Sequence, residues 1–239
     1  ADAVTTVGGR AITVYAGTGD VSIATTGAVQ SFGSGLLAQN AGAGTVTVHA
    51  AGPVTSQFGT GLIAQNIGGF GAVTVGTADQ RIGGAITGGG GNGVNALGAG
   101  DVSVYVGAVT ARYRGIVGVS QYDGANGRVI IDAAGPVLSE TLYGIVGVND
   151  GVLSTNTLSI RAADTVTSNG GSAISAQTVG GDIDITALGA ILSNQGESGF
   201  GDGIYAESEQ GGRITISATG DSVSGWDGVY AATQAADGN

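Results

Sequence analysis

A five-residue phrase recurs along this 239-residue chain and restricts its fold more than any other feature. Glycine, a variable residue, an aliphatic, a mostly polar residue and a second aliphatic open at Gly19 (GDVSI), Gly44 (GTVTV), Gly71 (GAVTV), Gly100 (GDVSV), Gly127 (GRVII), Gly181 (GDIDI) and Gly212 (GRITI), with Asn156 (NTLSI) once in the glycine's place. The intervals are 25, 27, 29, 27, 29, 25 and 31 residues. Self-similarity at this period is the mark of a stacked repeat, in which no unit buries its apolar face alone.

Each unit continues with two more short segments. After a turn comes a brief apolar touch, as at Ala28-Val29 and Pro53-Val54, and then a glycine-aliphatic-x-small phrase, as in GLLA from Gly35, GIVG from Gly115 and GIYA from Gly203. Three short strands per unit describe a coil. Period-2 alternation in the first strand sends pairs such as Val21/Ile23, Val102/Val104 and Ile183/Ile185 to one side. Stacked in parallel about 4.8 Å apart, like positions form internal ladders, each buried aliphatic contributing roughly 1.5–3 kcal/mol. The expected fold is an all-β parallel β-helix, a β-solenoid of about eight three-strand coils of 25–31 residues, extending roughly 40 Å, with residues 1–18 as an N-terminal partial coil and 19–239 as one repeat domain.

The composition fits that arrangement and little else. The chain holds 49 glycines but 2 prolines, which excludes helical bundles and collagen, and its 42% hydrophobic and 10% charged residues supply a core that disordered sequences lack. Ordering so many glycines is entropically costly, and the expected compensation is that nearly every coil turns corners requiring positive φ.

Aligning the units on their apolar residues brings charges together that the alignment did not use. Asp101 falls beside Arg128, Asp182 beside Arg213, and, in the outward column after the second aliphatic, Ala24, His49, Gly76, Tyr105, Asp132 and Arg161 follow one another. Opposite neighbours on an exposed sheet face specify register more than they stabilise.

Several chemistries are excluded by residue type. With no cysteine and no lysine, there is no disulfide, zinc thiolate, Schiff base or P-loop lysine. A net charge of −11 repels phosphate backbones and anionic bilayers, so nucleic acid is not an expected partner. No cofactor is called for. Residues 1–3 carry no initiator methionine or leader-like pattern, so the chain reads as a mature product or an excised piece of a longer one.

Tandem phrases such as GDVSIATTGAVQSFGSGLLAQNAGAGTVTVHAAGPVTSQFGTGLIAQN, starting at Gly19, resemble the passenger domains of bacterial autotransporters, particularly the Gly/Ala/Thr/Val-rich passengers of alphaproteobacteria. The similarity covers about residues 19–232 and rests on a degenerate structural repeat. It implies a right-handed β-helix, export across the outer membrane, and extracellular or cell-surface display as an adhesin or rod-like stalk, a role in virulence or cell adhesion. The amphipathic strands of a membrane barrel are not among these residues, so membrane attachment would come only through a barrel domain elsewhere.

The candidate sites follow from what the repeat does not absorb. If Leu36, Leu62, Ile116, Ile145, Ile204 and Val229 of the third strand point inward, then Leu37, Ile63, Val117, Val146, Tyr205 and Tyr230 line up outward. An apolar stripe of that kind is either a docking surface for a host or neighbouring-cell protein or glycan, or for another rod, or is covered by a loop. Arg112, Tyr113 and Arg114, with Tyr122 and Asp123 nearby, form a cationic-aromatic patch in an acidic chain, and the loop around Phe200 is a further contact candidate. Acids thicken toward the C-terminus. Glu197 and Asp202 are where calcium would be sought, although a solvated acidic end is the plainer reading. His49, the one histidine, has no catalytic partner in sequence. The expectation is a non-catalytic adhesin or display stalk, with two alternatives: a self-assembling extracellular filament subunit, or a polysaccharide-degrading β-helix enzyme.

Overall fold

A computed structural model describes residues 3–121, 127–150, 157–194 and 201–234. These residues form strands and turns only. The strands make three parallel sheets of eight, nine and nine, and each coil contributes one strand to each sheet. The chain is a parallel β-solenoid.

The register is the one the repeat dictates. In the first sheet Val21 pairs with Val46, Val46 with Val73, Val73 with Val102, Val102 with Val129, Val129 with Leu158, Leu158 with Ile183 and Ile183 with Ile214. The second sheet begins with Val4–Thr5 and the third with Ile12–Ala16, which pair with Val29–Ser31 and Leu36–Asn40 of the first complete coil. The N-terminal partial coil therefore supplies two strands. Inward positions form aliphatic ladders that are inaccessible from Val46 to Ala206. In the last coil Ile214, Ile216 and Val223 are only partly covered.

The third sheet carries a ladder of small residues at its inward middle position: Ala38, Ala64, Ala96, Gly118, Gly147, Ala176 and Ala206. Small residues are needed there because large ones arrive from the facing first sheet. A Cβ on Gly147 would stand 2.7 Å from Leu158 Cδ1, and one on Gly118 would stand 3.0 Å from Ile131 Cδ1. The core interdigitates in single layers, as close packing requires.

The glycines do a different job from the one expected. Among the described residues, only Gly9, Gly19, Gly76 and Gly211 have positive φ, so corners requiring that conformation account for few of them. The dominant constraint is stacking. A Cβ on Gly44 would lie 1.9 Å from the Gly19 carbonyl oxygen, and one on Gly127 2.0 Å from that of Gly100. Parallel coils bring one corner's backbone onto the next, leaving no room for a side chain between them.

Two buried polar ladders hold the corners. At the last position of the third strand, Asn40, Asn66 and Asn149 donate from Nδ2 to the carbonyls of Gly19, Gly44 and Gly127 at 2.8–2.9 Å. At the end of the second strand, Ser56 and Ser193 donate to Gly33 and Gly171, and Ser139 and Ser168 donate to Tyr113 and Leu142. Each ladder supplies donors to turn carbonyls, and of those named only that of Tyr113 also accepts a backbone N–H among the described residues, from Leu142.

The alignment's outward column needs one correction. After Val73–Val75 the chain leaves the sheet at Gly76 and re-enters at Ile82, which is fully buried and bridges to Val106. Gly76 still lies against the Tyr105 carbonyl, but the side chain beside the Tyr105 ring is that of Arg81. The Asp101–Arg128, Asp132–Arg161 and Asp182–Arg213 neighbours form ion pairs at 3.4, 3.1 and 3.3 Å.

Candidate functional site

The outward face of the third sheet carries a groove that crosses four coils. Its floor is set by alternation along the strands Ile116–Ser120, Ile145–Asn149, Ile174–Thr178 and Ile204–Ser208, whose second and fourth residues point away from the core. The second residues give the column Val117, Val146, Ser175 and Tyr205, and the fourth give Val119, Val148 and Gln177. Arg114, Tyr143 and Ser172, each two residues before its strand, form one wall, and Gln121 closes the other side of the first strand. The groove has a volume of about 560 Å³ and is open to solvent along its length.

Depth changes the character of the expected stripe. Leu37 and Val117 are buried at 6% and 7% exposure, Ile63, Val146 and Tyr205 are half-buried, and Tyr230 is exposed. All six stand in outward register, so the inward assignment holds. Val117, Val146 and Tyr205 belong to the groove, whereas Leu37 and Ile63 lie on the same face nearer the N-terminus.

The C-terminal end of the groove is aromatic. Tyr205 and Tyr230 stack with centroids 5.1 Å apart and planes 6° from parallel, as neighbouring coils bring identical positions together. Tyr205 donates its hydroxyl to Glu207, which also accepts from Gln234 Nε2 at 3.0 Å. Burial, then the Glu207 carboxylate, push the Tyr205 phenol up to about 12. It stays a neutral hydrogen-bond donor at any physiological pH.

The opposite end is cationic. The Arg114 guanidinium lies 6.0 Å from the Tyr143 ring centroid, a contact that places the charge at the groove wall. Arg112 and Tyr113 share the same turn but project to solvent, and their carbonyls accept from Thr141 and Ser139 of the next coil. The expected three-residue patch therefore divides, with only Arg114 facing the groove. Tyr122, Asp123, Glu197 and Phe200 lie outside the described residues.

Asp202 is half-buried, and its Oδ1 accepts the backbone N–H of Asp227 at 3.2 Å, a turn-capping role. Among the described residues no three His, Cys, Asp or Glu side chains converge as metal ligands. His49 sits at an outward strand position beside Ala24.

Tyr143, Val119, Val148, Gln177, Gln121 and Ser172 were missed by sequence reasoning. Three of them had a signal: Val119, Val148 and Gln177 are the second outward residues of strands already identified. The wall residues had none, because their proximity depends on how the preceding turns stack. The chain matches no protein-family model, no curated protein and no solved structure.

Proposed function

We propose that this chain is a binding rod, a non-catalytic segment of an extracellular or cell-surface passenger of the autotransporter type that recognises its partner through the groove on the third sheet. The observation that carries the reading is the groove itself. A solenoid needs its outward positions only to be compatible with water, yet here two consecutive coils place Val117, Val119, Val146 and Val148 outward, bounded by arginine, tyrosine, serine and glutamine. Apolar floor with a convergent polar rim is the usual make-up of a recognition site. The rest of the coil supports presentation, since uniform parallel stacking makes an elongated body on which one face repeats at fixed spacing.

The test is adhesion of cells displaying the chain to host or neighbouring cells. Val146→Asp and Val148→Asp put charges on the groove floor without entering the core, and loss of adhesion with an unchanged circular dichroism spectrum and melting temperature is the expected result. Undiminished adhesion by both variants would remove the groove as the recognition surface.

A further inference from the structure

The groove's dimensions and charge identify a ligand class, an inference that rests on the groove being the recognition surface. We propose that it binds an acidic polysaccharide laid along the solenoid axis, with one sugar ring against the free face of Tyr205 and a sugar carboxylate at Arg114.

The first argument is spacing. Coils repeat about every 4.8 Å, close to the length of one pyranose in a linear chain, whereas an extended peptide advances about 3.3 Å per residue and falls out of step with the coils. A glycan along the axis meets an equivalent floor position with each sugar.

The second is the place for a ring. Tyr205 carries Tyr230 on one face. Its other face turns toward the preceding coil, where the register puts Ser175, and the coil before that presents Val146. Two coil spacings, about 9–10 Å, thus separate Tyr205 from Val146, with Ser175 between them in that column and Gln177 at its side. One flat ring fits that interval, its C–H face on the phenol. The valine floor takes the C–H faces of the following sugars, and the Gln177 amide, which also bonds the Tyr205 hydroxyl, offers its remaining hydrogen-bonding capacity to theirs.

The third is charge. Among the described residues Arg114 is the one charged residue lining the groove, in a chain of net charge −11. It stands three coils, about 14 Å, from Tyr205, so a trimer spans the two ends. Glu207 beside Tyr205 repels a carboxylate there and accepts hydroxyls instead, which sets the direction of the chain.

Calorimetric titration of the whole chain with trigalacturonate, a glucuronate-containing trisaccharide and a sialate trimer tests the proposal. At least one acidic trimer is expected to bind, and esterifying its carboxylates or substituting Arg114→Gln to weaken it about tenfold or more, the scale of a charge-assisted hydrogen bond. Ser175→Leu fills the ring interval while leaving Tyr205 stacked, and is expected to abolish binding with the melting temperature unchanged. Absence of binding by all three trimers, equal affinity for the ester, or preferential binding of hexaglutamate would overturn the proposal. Cell adhesion that persists without any glycan binding overturns the ligand assignment alone, and glycan binding without adhesion overturns the display reading alone.

Discussion

Arg81 donates a 2.7 Å hydrogen bond from Nη2 to Asp132 Oδ2 across two coils, passing over the Tyr105 ring at 5.7 Å from its centroid. Asp132 also accepts from Arg161 Nη1 at 3.1 Å, so one carboxylate joins guanidinium groups from the coil after it and from two coils before it. Burial pushes the Asp132 carboxyl up, and the two arginines outweigh that effect and hold it below the usual aspartate range. The excursion of the chain between Gly76 and Ile82 makes the contact possible.

Asp132→Asn is therefore expected to destabilise the fold by about 1–3 kcal/mol at neutral pH, the range for a hydrogen-bonded group losing its charged partner. Because the folded-state pKa lies below the unfolded one, the carboxylate's contribution is present above the ordinary aspartate value of about 3.9 and disappears as pH falls through the folded value. Melting temperatures of wild type and variant should converge in acid, and a constant difference down to the lowest pH would contradict this account.

Glycine substitutions should separate stacking from backbone conformation. Gly44→Ala forces a Cβ onto the Gly19 carbonyl and is expected to cost about 3 kcal/mol, the upper end of core overpacking. Gly17→Ala meets nothing within 4 Å at an ordinary φ and should be stabilising by about 0.4–1 kcal/mol through the unfolded chain. Denaturant midpoints for the two variants moving in the same direction would refute the distinction.

Asn66 donates to the carbonyls of both Gly44 and Gly71, at 2.8 and 3.0 Å. Asn66→Ala leaves both without that donor, at a cost of about 1–3 kcal/mol, and Asn66→Asp should be worse at neutral pH because a buried carboxylate can only accept. Chemical denaturation of the pair, repeated at low pH where the aspartic acid regains a donor proton, should narrow the gap between them.

Tyr205 should ionise above the ordinary tyrosine range. Its phenol is raised to about 12, so the neutral form contributes stability that is complete below the ordinary tyrosine value near 10 and is lost as pH rises through 12. An ultraviolet difference titration should contain a late transition that Tyr205→Phe removes. If the variant's titration curve differs only by an ordinary phenol, the Glu207 contact does not persist in solution.

The solenoid could be read from the chain because its determinants are local and repeated. Alternation at Val21/Ile23 or Ile183/Ile185 says which side chains share a face, and recurrence says that equivalent faces stack. The groove was half visible. Val117, Val146 and Tyr205 are legible as outward and aligned, whereas the second outward column through Val119, Val148 and Gln177 and the asparagine and serine ladders lie at the strands' last residues, beyond the aliphatic pairs that set the repeat. Spacing alone put Gly76 beside Tyr105 and gave no sign that Arg81 joins it there, because counting residues cannot tell an excursion from a continued strand.

By itself the sequence determined the coil, its register and the three opposite-charge neighbours that the fold closes into ion pairs at 3.1–3.4 Å, because inward and outward are properties of alternation within five residues. Only the tertiary structure decided that the outward apolar residues form a groove, that Arg114 faces it while Arg112 does not, that Arg81 reaches Asp132, and that most glycines serve stacking and few serve positive φ. These features depend on neighbours contributed by coils 25–31 residues away, and on the paths of the turns between strands, where chain spacing does not define direction.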